Sequence, residues 1–212
     1  MADSTTTTGA DSTGPVAPEH APRPLRADAR RNIESLLEAA KTVFGTSGVD
    51  APAKEIADLA GVGVGTLYRH FPKRSDLVKA VFQREVDACA DASPVLAAEH
   101  EPGVALEKWL HRYTEFLAAK RGLVKALHSG DPAFDDLPDY FMRRLGPALG
   151  SLLDAADAAG DVRADVEAQD ILEAVGNLCL PSSEKGAAYS RRMVDLLVDG
   201  LRYRADTSRA RS

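Results

Sequence analysis

Residues Ala53–Leu77 read AKEIADLAGVGVGTLYRHFPKRSDL, and the fold of the whole chain is decided by how this stretch is read. Its first part, Ala53 to Ala60, puts Ile56, Ala57, Leu59 and Ala60 on the apolar face of a short helix, leaving Lys54, Glu55 and Asp58 for water. Gly61 ends that helix, because a glycine takes positive φ without steric penalty and lets the chain turn sharply. The pattern predicts a second helix from about Val64 to Phe71, stopped by Pro72, whose ring disfavours a helical conformation in the residue before it. Val62, Leu67 and Phe71 form its inward side, so Val64, Gly65, Thr66, Tyr68, Arg69 and His70 point largely outward. Packing alone gives so short a helix little reason to carry that much exposed polar and aromatic surface. A B-DNA major groove admits one α-helix, with its N-terminal residues at the base edges, and accounts for the pattern better.

The same residues resemble a known family. The pattern IA-x-x-A-G-V-x-x-G-T-L-Y-x-H-F, with a basic residue three positions after the Phe and a Leu three further on, is similar to the TetR family of bacterial one-component repressors. Ile56, Ala57, Ala60, Gly61, Val62, Gly65, Thr66, Leu67, Tyr68, His70, Phe71, Arg74 and Leu77 carry it. One position departs from the pattern: the basic residue that is usually Lys is Arg74 here, which keeps the charge and offers a fork to phosphate. The resemblance implies an all-α chain of about nine helices, with a helix-turn-helix domain followed by a ligand-binding and dimerisation domain. It also implies a homodimer on a palindromic DNA operator, released by a small-molecule effector. A weaker resemblance, of Ala118–Leu127 to a subgroup of actinobacterial regulators, bears on fold alone.

Charge is divided along the chain. The formal net charge is −6, which is unhelpful to a DNA binder until it is partitioned. Residues 1–22 carry three acidic residues and no Lys or Arg, residues 23–84 carry a net +4, and residues 85–212 a net −7. A basic N-terminal domain on an acidic body turns one end only toward phosphate. Hydrophobic residues make up 44% of the chain, enough for a core, so wholesale disorder is excluded. No apolar run approaches the roughly 18–20 residues needed to cross a bilayer, and no secretion signal is visible, so a cytoplasmic protein is expected. Cys89 and Cys179 lie in helical apolar patterns and read as buried free thiols.

The expected organisation is a disordered tail at 1–24, a helix-turn-helix domain at 25–72, a connecting helix at 73–93, a ligand-binding and dimerisation domain at 94–205, and a second disordered tail at 206–212. Arg23, Arg26, Arg30 and Arg31 form either a basic arm for phosphate or a solvated face. A first helix is predicted over about 28–46, and a long one after Ser75 to about Ala92. The resemblance makes that long helix the lever between domains. Further helices are predicted at roughly 103–119, 121–129, 138–159, 165–179 and 184–204.

Three sets of candidate residues follow. For DNA, Thr66 and Tyr68 read bases, Val64 and Gly65 lie against the groove floor, His70 and Arg74 hold phosphates, and Lys54 and Lys73 add backbone contacts. The other reading of Tyr68 is a cover for the domain core. For a small-molecule effector, Trp109, Tyr113, Phe116, His128, Phe141 and Leu178 are candidate pocket residues, with ordinary core packing as the alternative. For a dimer, wide apolar stripes nominate Ile171, Leu172, Val175 and Leu178 on one helix and Met193, Leu196, Leu197 and Leu201 on the next. A monomer would bind poorly, since the next major groove lies about 34 Å away.

Catalysis finds no support. The Gly61-Val62-Gly63-Val64-Gly65 run lacks the strand and the third glycine of a dinucleotide loop. No nucleophile elbow or Cys–His set occurs. His111 and Glu115 stand four apart on one helix face, a spacing that could hold a metal, but with no third ligand apparent they read as a solvent-facing or core pair, so no metal and no cofactor is expected. The rival from another class is a helical protein-interaction module without specific DNA binding. Salt separates the two, because counterion release makes DNA binding fall steeply with ionic strength.

Overall fold

The structure, a computed structural model, describes residues 23–163, 165–179 and 186–203. Among them the chain is helical, with no strand: α1 Arg23–Ser47, α2 Ala53–Ala60, α3 Val64–His70, α4 Arg74–Glu99, α5 Pro102–Lys120, the single turn α6 Val124–Leu127, α7 Leu137–Ala159, α8 Ala168–Leu178 and α9 Gly186–Arg202. Short 3-10 turns at Arg121–Leu123 and Pro132–Phe134 flank α6. The all-α expectation holds. The two tails expected to be disordered lie outside the described residues, except that Arg23 and Pro24 already belong to α1.

The N-terminal domain is built on α1, whose buried Leu36, Ala40, Val43 and Phe44 recur at helical spacing and form the floor for α2, on which α3 packs in turn. One apolar cluster continues from there into the body, through Val78, Val81 and Val86 of α4 to Leu106, Trp109 and Leu110 of α5 and Leu145, Leu149 and Leu152 of α7. α4 packs along both α5 and α7, so one helix belongs to both parts. Each of these leucines contributes roughly 1.5–3 kcal/mol by leaving water.

α4 differs from expectation at both ends. It starts at Arg74, and the carboxylate that stabilises its first turn is Asp76, which accepts the Lys73 backbone N–H at 3.0 Å; Ser75 is not the cap. At the other end the helix runs through Pro94 to Glu99, where a boundary at 93 was expected. A proline inside a helix removes one hydrogen bond and costs about 3 kcal/mol. Here the cost is offset because Ala92 and Leu96 still pack on the core, while Ser93 is buried with its hydroxyl donating to the Ala148 carbonyl of α7 at 2.9 Å. Similarly, the helix expected over 165–179 begins only at Ala168, and the one expected over 121–129 breaks into a 3-10 turn and α6.

That break brings the body onto the N-terminal domain. A Cβ at Gly122 would collide with the Phe44 carbonyl, so only glycine allows the Arg121–Leu123 turn to rest on the end of α1. Lys125 of α6 pairs with Asp50 beyond α1, and this pairing holds the Asp50 carboxyl below its ordinary range. Lys79 of α4 similarly pairs with Asp136 at 2.7 Å. Between the two parts lies a cleft of about 330 Å³ with Val49, Val78 and Phe134 at its apolar floor.

Candidate nucleic-acid interface

Gly61 sets the angle between α2 and α3. Its φ is +70°, and the Val62 N–H reaches back to the Ala57 carbonyl at 3.0 Å, which closes α2 by satisfying a carbonyl the helix leaves open. α3 then begins with the Thr66 N–H on the Gly63 carbonyl at 2.8 Å. Ile56, Ala57, Leu67 and Phe71 are buried, as their spacing requires. Leu59 is not: it was expected on the apolar face and is 57% exposed. α2 packs mainly on α1 and α3, and neither covers Leu59.

The outward side of α3 carries Gly65, Tyr68 and Arg69 exposed, with Val64, Thr66 and His70 partly so. Tyr68 is 53% exposed, so covering the core is not its main use. A Cβ at Gly65 would meet nothing within 4 Å, so no packing in the chain demands a glycine there. Lys73 is exposed at the start of α4. Lys54 points to solvent but forms an i,i+4 pair with Asp58 at 2.6 Å. Arg74 departs most from expectation. Its guanidinium donates to the Ala51 carbonyl at 2.5 Å and lies 5.8 Å from the Phe44 ring, tying α4 to the turn before α2, although the residue remains exposed. The side chains of Arg23 and Arg26 lie outside the described residues, and Arg31 pairs with Asp28.

In the body the aromatic candidates divide. Trp109 and Tyr113 stack at 5.8 Å, Tyr113 and Phe116 at 5.9 Å, and Phe141 closes on Phe116 at 6.0 Å. Trp109 donates to the Cys89 carbonyl at 2.9 Å and Tyr113 to that of Leu172 at 3.3 Å, so in this conformation the stack is core. His128 and Leu178 do not join it. His128 is exposed and bonded within its own turn, and Leu178 is also at the surface. Lys120, which the sequence reading passed over, stands 5.9 Å from the Phe82 ring with no carboxylate partner among the described residues, and burial lowers its pKa. Both cysteines are buried, and burial pushes the Cys89 thiol up to about 12, which keeps it unreactive.

The dimer candidates also divide. Ile171, Leu172, Val175 and Leu201 are 4% exposed or less, turned into the chain's own core. They offer a second chain nothing. The stripe is wide because α8 packs on α5, α7 and α9 together. Leu178 and Leu196 are exposed, at 37% and 62%, and Met193 and Leu197 are half-buried.

Comparison with known proteins agrees with this geometry. Residues 36–81 match the family described as bacterial regulatory proteins, tetR family, and residues 101–203 match the C-terminal domain of SbtR-like transcriptional regulators. A TetR transcriptional regulator of Streptomyces coelicolor is 39% identical with a TM-score of 0.70, over 80% of this chain and 98% of that one. The chain belongs to the TetR family. A second TetR regulator, from Mycobacterium vanbaalenii, is 39% identical with a TM-score of 0.67, over 84% of this chain and 99% of that one. A helix-turn-helix-type transcriptional regulator of Staphylococcus aureus is 42% identical over 64 residues, 30% of this chain and 35% of that protein. Its likeness therefore spans about a third of that relative's length. The TetR family consists of transcriptional regulators, not enzymes, and no described helix is long and apolar enough to cross a membrane.

Proposed function

We propose that this TetR regulator is a repressor that binds a palindromic operator as a homodimer and releases it when a small molecule binds the body. The observation that carries the reading is the outward side of α3, where a glycine unconstrained by packing stands beside an exposed tyrosine on the basic part of an otherwise acidic chain. In the groove, Val64 and Gly65 lie against the base edges, Thr66 and Tyr68 contact bases, and Lys54, His70 and Lys73 contact phosphates. Arg74 acts mainly by holding α4 to the N-terminal domain, through the Ala51 carbonyl, and adds a phosphate contact from its exposed part. The dimer surface comprises Leu178, Met193, Leu196 and Leu197, the members of the two apolar stripes that the chain's own core leaves accessible.

An effector releases DNA only if it binds the DNA-incompetent state more tightly, so its affinity and that of the operator must oppose each other. The Trp109, Tyr113, Phe116 and Phe141 stack is the place for it, and it must part to admit a ligand; Lys120 at its edge suits a ligand with an anionic group. Selection of bound duplexes from a random pool tests the DNA reading. It should return an inverted repeat with half-sites about one helical turn apart. An enriched pool without two-fold symmetry would remove the homodimer, and no enrichment would remove the operator.

A further inference from the structure

Glu107 and His111 stand four residues apart on α5, and Asp195 reaches them from α9. One donor atom from each lies within 4.8 Å of the other two. His111 presents Nε2 to the Asp195 carboxylate at 3.0 Å, while its Nδ1 is buried and bonded to nothing among the described residues, so Nε2 is the nitrogen turned to the cluster. Arg202 holds Glu107 at 2.7 Å and lies 3.8 Å from Asp199. Lys108, Arg112 and Arg191 line the adjoining groove with His111, and Arg112 is already paired with Glu115 at 2.9 Å. The partner of His111 in this cluster is therefore Glu107 on the preceding turn, not Glu115.

We propose that Glu107, His111 and Asp195 form a site for a divalent transition-metal ion that fastens α9 to α5. One imidazole with two carboxylates is a donor set for Zn²⁺, Co²⁺, Ni²⁺ or Mn²⁺; an all-oxygen set would favour Ca²⁺ or Mg²⁺, and thiolates Cu⁺. Bonds of about 2.0–2.2 Å require the three donors to close in by roughly an ångström. Asp195, with its side chain half exposed, can supply that movement. Three protein ligands leave further positions for water. Binding releases Glu107 from Arg202, so the guanidinium and the ion compete for one carboxylate. Asp195 is on α9, the helix that carries Leu196 and Leu197, so occupancy stiffens the support of the proposed dimer surface.

The experiment uses the full, untagged, chelator-stripped chain, with Zn²⁺ titrated by calorimetry and Co²⁺ by visible absorption, and needs no DNA. The expected result is one ion per chain. Asp195→Asn and His111→Gln should each weaken binding roughly ten-fold or more, Glu115→Gln should leave it unchanged, and Arg202→Gln should tighten it by removing the competing cation. Asp195→Asn is nearly isosteric at a half-exposed position, so it decides the matter even if the histidine variant unfolds. Absence of binding at millimolar ion, or binding that Asp195→Asn does not weaken, overturns the site.

Discussion

α3 and α5 both carry aromatic side chains, and they use them oppositely. On α5, Trp109, Tyr113 and Phe116 are each 3% exposed or less and bond or stack with one another. On α3, Leu67 is the one buried residue, and Tyr68 stands out beside a glycine whose missing side chain nothing in the chain requires. The first pattern is what a fold must have. The second costs the fold little to change, and the proposed function assigns it to an outside partner.

The contrast can be broken most forcefully from the buried side. Trp109→Ala removes a fully buried ring and the hydrogen bond to Cys89, and should cost about 3–5 kcal/mol in chemical denaturation. A cost near zero would mean the stack is a loosely filled cavity. Next comes α9, which carries both patterns on one helix. Leu196→Glu should shift sedimentation toward monomer and lower the melting temperature only by the lost dimer linkage, leaving the chain folded, since it places an unpaired charge costing several kcal/mol in the proposed interface but not in the core. Val198→Glu, at a buried position, should unfold the chain instead.

On α3 the expected effects are smaller in energy and appear only with DNA. Gly65→Leu should lower operator affinity roughly ten- to hundred-fold, the worth of about 1–3 kcal/mol of groove contact. Its stability should stay within about 1 kcal/mol of the parent, because leucine is the better helix former. Tyr68→Ala should change stability by no more than about 0.5 kcal/mol, while relaxing the preference for particular bases in competition binding. Arg74→Ala is a poor probe of phosphate contact, because it also frees the Ala51 carbonyl and moves α4.

Sequence made the local features legible. The turn at Gly61, the inward Leu67 and the stop at Pro72 each depend on neighbours within a few residues, and all are found. What escaped was decided at a distance. Arg74 reads from sequence only as a phosphate ligand, and its bond to the carbonyl of Ala51, 23 residues earlier, is invisible there. Ile171 and Val175 read as surplus apolar area because no local pattern shows that α8 has three neighbours to cover. Pro94 reads as a boundary, yet packing on both sides of it outweighs the lost hydrogen bond. Asp195 joins His111 only through the docking of α9 on α5, so the sequence, which sets aside the His111 and Glu115 spacing as a solvent-facing or core pair, shows no sign of the Glu107, His111 and Asp195 grouping.

The central claim is that the exposed side of α3 meets nucleic acid, and the slope of binding against salt tests it most directly. With a duplex recovered by selection, log affinity should fall steeply and linearly with log salt concentration, with about one unit of slope for each phosphate contacted. Affinity that is flat across the salt series, or no binding to any duplex at low ionic strength, would contradict it.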